Sequence, residues 1–253
     1  MPAILSQKDV DFYADQGYLF CPGILTPQEA ANLRKESHDL ADRLSKKGNI
    51  DATWSGAKAM VAEKTTILHC HNVQFFSAAF TRLLTDERIV GRTADLIGSP
   101  NVQLHHTKMF IKPPEKGSPF PMHQDYPYFP HERHTMMAVI LHFDDAPLEK
   151  GCLRVIPGSH KLGPLPHEGG NLPLDKYPLS DATPLPAKAG DALFFNYLTI
   201  HGSGVNESAE ARTTLLIQMR DPEDLPTVKT HESRGQGMML RGIDPSADPR
   251  GVE

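Results

Sequence analysis

The sequence predicts a mainly β fold, a sandwich or barrel of many short strands behind a helical flank, on three grounds. Through residue 100 the apolar residues recur at mostly helical spacing. From Val102 onward, short apolar runs at residues 108–112, 135–143, 153–156, 192–198 and 213–219 alternate with turns rich in Pro and Gly. At 253 residues the chain has the size of one domain of the larger all-β kind with appended helices. The expected organisation is a single domain over 1–253, with a mostly helical flank over 1–100, a β core over 101–222 and a tail over 223–253.

Taken in order, the first element is a short helix from Ser6 to Gly17, with Val10, Phe12 and Tyr13 on its apolar side. Thr26 opens a longer helix. Pro27 lies at its first turn, and Glu29, three residues after Thr26, completes a capping box. Leu33, His38, Leu40 and Leu44 form a rough helical stripe, and Gly48 stops it. Residues 75–97 read as helical again, with Phe76, Phe80, Leu83, Leu84, Ile89 and Leu96 at mostly helical spacing before Gly98, Ser99 and Pro100. Inside the β region, the segment 158–190 is rich in Pro, Gly, Asp and His and reads as a functional loop or a locally mobile insertion. The polar tail after Asp221 is expected to be partly ordered at best.

Charged residues at 23%, hydrophobic residues at 39% and a formal net charge of −5 give no reason to expect a nucleic-acid surface. No stretch approaches the roughly 18 apolar residues of a membrane span, and the first residues turn polar without the apolar run of a signal peptide. Cys21, Cys70 and Cys152 are odd in number and widely separated, so free thiols in the cytoplasm are expected rather than a disulfide framework. Asn206-Glu207-Ser208 is a formal glycosylation sequon that a cytoplasmic chain would not have modified. The ending Gly251-Val252-Glu253 is not a peroxisomal Ser-Lys-Leu signal.

The chemistry concentrates around His123-Gln124-Asp125. On an extended strand the side chains of i and i+2 point to one side, so this imidazole and carboxylate can share a metal. A histidine from a distant strand would complete two histidines and a carboxylate on one face of an octahedron, leaving the other face for a cosubstrate and dioxygen. His201, in NYLTIHGSG, is the candidate. Spacing alone does not choose, because His142-Phe143-Asp144 fits it too among 13 histidines. His142 ends the apolar run AVIL, as part of a buried strand would, whereas His123 follows the turn-rich PFPM, as a ligand at a barrel rim would. Arg212 comes eleven residues after His201, at the start of the apolar strand TTLLIQM. Two readings stand for it: a buried guanidinium awaiting a carboxylate, or a strand-edge arginine paired with Glu210 or Asp221.

Three segments in order, FIKPPEKGSPFPMHQDYPYFP, GCLRVIPGSHKLG and GDALFFNYLTIHGSGVNES followed by Arg212, resemble the phytanoyl-CoA dioxygenase-like branch of the iron(II)/2-oxoglutarate oxygenases. The resemblance runs over roughly residues 72–219. It implies a double-stranded β-helix (jelly roll, cupin-like) barrel, with Fe(II) bound by His123, Asp125 and His201, and 2-oxoglutarate and O2 as cosubstrates. It implies further that Arg212 and Ser203 grip the distal carboxylate of 2-oxoglutarate, and that Lys108 lies at a position similar to one lining the cosubstrate site in relatives. Halogenases of this superfamily replace the metal carboxylate with Gly or Ala. Asp125 is present here, so the resemblance implies hydroxylation of a small organic metabolite, with 2-oxoglutarate converted to succinate and CO2.

Gln124, Tyr126 and Tyr128, with Phe129, lie beside the metal motif as candidates for the substrate pocket, with Arg154 and His134 as candidate polar anchors. Each could equally be ordinary core or surface. His69 and His71 flank Cys70, but a zinc site wants a fourth spaced ligand that is not evident. His131-Glu132-Arg133-His134 has an interval of three where the zinc-protease motif needs four. His105, His106 and His160 read as structural or rim residues. Two other functions stay open on the residues: a non-catalytic or sensory metal-binding cupin, and a cupin-type dioxygenase or isomerase that does not use 2-oxoglutarate.

Overall fold

The structure is a computed structural model that describes residues 3–48, 50–52, 57–61, 64–230 and 232–248. In chain order it runs α1 (Gln7–Gln16), β1 (Tyr18–Cys21), α2 (Pro27–Ser45), β2 (Asp51–Ala52), α3 (Ala57–Met60), β3 (Ile67–His71), α4 (Ala78–Leu83), α5 (Glu87–Ile97), β4 (Val102–Lys112), β5 (Phe120–His123), β6 (Met137–His142), β7 (Leu153–Val155), β8 (Thr183–Leu185), β9 (Ala192–Asn196), β10 (His201–Ser203), β11 (Arg212–Arg220) and β12 (Met239–Arg241). Among the described residues no helix is long and apolar enough to cross a membrane.

The larger sheet has the order β1-β9-β6-β11-β4-β3-β2, with β12 also pairing β4, and the smaller one the order β5-β10-β7-β8. All the named pairings are antiparallel. From β4 to β11 the chain passes repeatedly from one sheet to the other, which is the double-stranded β-helix that the sequence led us to expect.

Strand alternation divides the larger sheet into two faces. Met109, Ile111, Val139, Leu141, Phe194, Leu215 and Ile217 point outward into the main core, where Leu33 and Leu40 of α2 and Ile89, Val90 and Ala94 of α5 cover them. Their neighbours Lys108, Phe110, Ile140, Phe195, Thr214 and Leu216 point inward and, with Phe120 and Leu153 of the smaller sheet, line a cavity. The helices thus stiffen the back of the sheet whose front carries the site.

The flank differs from its expected form in particulars. Ser6 and Thr26 both make full capping boxes, and Gly17 ends α1 in the left-handed conformation. Phe12, however, is exposed and packs edge-on against Tyr18, leaving Tyr13 as the buried residue of α1. The single helix expected over 75–97 is two, because Ser77 caps α4 and Asp86 caps α5, each accepting a bond from a first-turn N–H. Phe76 precedes both and is exposed. The flank also contributes β1, β2 and β3 to the larger sheet. The tail is ordered further than expected: β12 pairs with the start of β4 through Met239↔Gln103 and Arg241↔Val102. Residues 249–253, including the ending discussed above, lie outside the described residues.

Candidate active site

His123 closes β5, His201 opens β10, and the two are direct partners in the register of that pair. One oxygen of Asp125 lies 3.7 Å from His123 Nε2 and 3.8 Å from His201 Nε2. The three donor atoms all fall within 4.8 Å of one another, and they form the one such cluster among the described residues. The carboxylate arrives by a bend rather than by strand alternation. β5 stops at His123, Asp125 has helical dihedrals (φ −75°, ψ −23°), and the N–H groups of Asp125 and Tyr126 both donate to the Tyr197 carbonyl.

The protonation of the histidines follows from their partners. A carbonyl oxygen can only accept, so His123 Nδ1 donates to Pro121 O (2.8 Å) and His201 Nδ1 donates to Thr199 O (2.9 Å). Burial drives both imidazoles down to about 4, so at neutral pH each is uncharged and turns the Nε2 lone pair to the centre. Burial pushes the Asp125 carboxyl upward, and His123 works against that push. Asp125 Oδ2 is buried with no hydrogen-bond partner among the described residues. Two neutral imidazoles, one carboxylate with an orphaned oxygen and an open cavity beside them fit a divalent iron held on one face.

At the far end of the same cavity, Arg212 is buried at the start of β11. Its Nη1 donates to Gly151 O, and its buried Nε has no partner among the described residues. Glu210 pairs instead with Lys150 at 2.5 Å, and Asp221 accepts from the Glu223 N–H at 2.8 Å, so neither takes up the guanidinium. Asp144 is engaged by Arg34 and by the Thr213 N–H. Arg212 therefore faces the cavity as a buried cation with no carboxylate in an ion pair among the described residues, and burial lowers it to about 10. Ser203, at the end of β10, lines the same end. Lys108 is on the wall nearer the triad, cross-strand from Leu216, and burial brings it down to about 8 against the pull of Asp125.

Of the candidates for substrate contact, Tyr128 reaches the cavity, at its mouth, with its hydroxyl donating to Gly170 O (3.1 Å). Phe129 lines it as well. The others do not. Gln124 is fully buried, and its side chain donates to Gly163 O and Leu198 O and accepts from the Leu165 N–H, while its backbone N–H donates to His167 Nε2. It fastens the segment 158–190 to the strand that carries the metal motif. Tyr126 packs on Tyr197, whose hydroxyl meets His134 Nδ1 at 2.7 Å. Arg154 donates to Leu179 O on the outer side, because its neighbour Leu153 takes the inward position on β7.

Gln218 and Ser233 carried no sequence signal, while His105 and His106 were read as structural or rim residues and His71 only as a neighbour of Cys70. His71, His105, His106, Gln218 and Ser233 line the wall around the triad. His105 and His106 share a bond between their Nδ1 atoms (2.7 Å), and burial drives His105 to about 3. Lys112 lies behind Ser203. The direction of its side chain depends on the β4–β11 register, which sets it across from Arg212. His142 is buried at the end of β6, and Asp144 turns to Arg34 rather than to it.

Residues 13–214 match the family model described as phytanoyl-CoA dioxygenase (PhyH). The chain is 29% identical over 239 residues to the peroxisomal phytanoyl-CoA dioxygenase of Bos taurus, covering 86% of this chain and 69% of that protein. It is 29% identical over 222 residues to a methylphosphonate hydroxylase of Gimesia maris, covering 86% and 81%. Among solved structures it is similar to the epimerase SnoN in complex with Fe3+, alpha-ketoglutarate and nogalamycin RO, at 25% identity and a TM-score of 0.71 over 93% of this chain and 98% of that one.

Proposed function

The chain belongs to the phytanoyl-CoA dioxygenase (PhyH) family of iron(II)/2-oxoglutarate-dependent oxygenases, and from that premise we propose that it hydroxylates an unactivated C–H bond of a small, polar or carboxylate-bearing metabolite. In this reading 2-oxoglutarate becomes succinate and CO2. The observation that carries it is a single cavity, about 360 Å³, with the His123/Asp125/His201 cluster on its wall and, at its end, the guanidinium of Arg212, which has no carboxylate in an ion pair among the described residues.

Iron, when bound, supplies the activation of dioxygen coupled to decarboxylation of the oxoacid. The protein supplies position. Pro121 O and Thr199 O hold the two imidazoles in one tautomer, so both present lone pairs with no proton to remove first. Arg212 is assigned the distal carboxylate as a bidentate partner, with Ser203 beside it. Phe110, Phe120, Ile140, Leu153, Phe195 and Leu216 keep the space between dry, which strengthens each of these polar contacts. Tyr128 and Phe129, with His71 and His106, bound the remaining room, and the substrate is placed there. The modest volume supports a small substrate, as does a relative that hydroxylates methylphosphonate.

The flank, core and tail are read as one catalytic unit, since β1, β3 and β12 extend the same sheet as the core strands. A cytoplasmic setting is part of the proposal, supported by three buried cysteines that remain free.

Anaerobic titration with iron(II) and then 2-oxoglutarate tests it. A weak visible charge-transfer band is expected in the wild type. It should be lost in His123→Ala and should need much more 2-oxoglutarate in Arg212→Ala. If iron binds and no band forms, the metal-binding cupin that turns nothing over becomes the reading to adopt.

A further inference from the structure

We propose that Lys112 is a positioning residue for the distal carboxylate of the oxoacid, acting through the hydroxyl of Ser203. The inference rests on the cosubstrate reading above and adds to it a residue that the cavity wall hides.

Lys112 ends β4 directly across from Arg212 at the start of β11, so two basic side chains stand side by side. It is fully buried. Among the described residues no carboxylate forms an ion pair with either of them. Lys112 Nζ donates to Ser203 Oγ at 2.7 Å and to Gly204 O at 2.6 Å, and lies 5.0 Å from the centroid of the Phe120 ring. Burial and the neighbouring Arg212 hold the amine well below its ordinary value. In both contacts the amine is the donor and an oxygen accepts.

The consequence falls on Ser203. A hydroxyl has one hydrogen to donate and two lone pairs. Lys112 occupies a lone pair, and no acceptor for the Ser203 hydrogen is found among the described residues. The O–H is thereby turned from an acceptor that would repel a carboxylate into a donor available to the cavity. Ser203 and Arg212 both line that end of the cavity, so their donors converge on one anion, while Lys112 stays behind them. Left without Lys112, Ser203 could present either its hydrogen or a lone pair, and part of its contribution to binding would go into fixing that choice.

The test uses the full-length protein loaded with iron(II) under anaerobic conditions. It compares the binding, by calorimetry, of 2-oxoglutarate with that of 2-oxobutyrate, which has the same oxoacid end and no distal carboxylate. Wild type, Lys112→Met, Ser203→Ala and the double variant are each measured after thermal melting shows them folded. Ser203→Ala is expected to weaken 2-oxoglutarate by about tenfold, the effect of one hydrogen bond to a charged group, Lys112→Met by a smaller factor, and both to leave 2-oxobutyrate unchanged. The double variant should bind no more weakly than Ser203→Ala alone. Should Lys112→Met not fold, Lys112→Gln, polar but too short to reach Ser203, takes its place with the same selective loss expected. If the Lys112 variant weakens both acids alike, or adds its full effect to that of Ser203→Ala, the lysine only anchors the end of β10 and the proposal is overturned. A wild type that binds the two acids equally would instead sink the cosubstrate reading itself, whatever the variants do.

Discussion

His123 and His201 stand opposite each other across the β5–β10 pair, with ring centroids 4.2 Å apart, and one oxygen of Asp125 is nearly equidistant from their Nε2 atoms. Such a pair is set by backbone register, so removing one imidazole cannot be repaired by rotating its neighbour. His201→Ala is expected to weaken iron(II) binding by at least about 100-fold, the upper end of what losing an outer-shell partner costs. Metal analysis after equilibrium dialysis reads this directly. Wild-type occupancy in the variant would remove His201 from the metal site.

Gly151 adopts φ +63°, a left-handed conformation, and its carbonyl accepts from Arg212. A Cβ there would meet Gly204 O and Val205 O, the second at 2.6 Å, and both are backbone atoms that cannot swing aside. Gly151→Ala is therefore expected to cost about 1–3 kcal/mol of stability in urea unfolding. It should also raise the 2-oxoglutarate needed for the charge-transfer band, because the carbonyl that aims Arg212 must shift. An unchanged titration in a destabilised variant would show that Gly151 serves the fold alone.

Acid should unfold the protein through histidines that bind no metal. His105 and His142 are buried and each is driven down to about 3 by burial, from an ordinary 6.5. Between these values the unfolded chain holds more protons than the folded one, so stability falls as pH drops through the window. For two such groups the slope is roughly 3 kcal/mol per pH unit in mid-window. Urea midpoints at pH 7, 6 and 5 measure it, and His142→Phe should make the dependence shallower. Equal midpoints at pH 7 and 5 would contradict it.

At the exposed start of α2, Thr26 accepts from the Glu29 N–H while Glu29 reaches back to the Thr26 N–H. Thr26→Ala is expected to cost about 1 kcal/mol. The loss should appear as a lower melting temperature with no change in iron or 2-oxoglutarate binding, since α2 packs on the outer face of the larger sheet.

What could be read from the residues is local, and what could not depends on register. The capping box at Thr26 is a four-residue pattern and is found as written, whereas the one that Asp9 closes at Ser6 was not read from the sequence. The run of short β segments was legible because each apolar stretch is bounded by its own Pro or Gly. Gln124 looked like a pocket residue by adjacency to His123 and Asp125, but the bend at Asp125 sends its amide into the segment 158–190. The break between α4 and α5 lay in Asp86, a capping residue embedded in an apolar pattern that otherwise continued. β12 has three residues and gains its order from the partner strand β4, which local pattern does not encode.

Strand β10 is three residues long, begins with His201 and ends with Ser203. Two residues of extended chain advance about 6.6 Å, and both side chains emerge on the same face. The interval from the His201 imidazole, the proposed metal ligand, to the hydroxyl is thus a gauge cut into a single piece of backbone, flanked on both sides by β5 and β7. A molecule that must touch both marks is selected by its length before any of its atoms are recognised. An oxoacid one methylene shorter or longer would have to bend the gauge or miss a mark, and β7 pairs that gauge residue for residue.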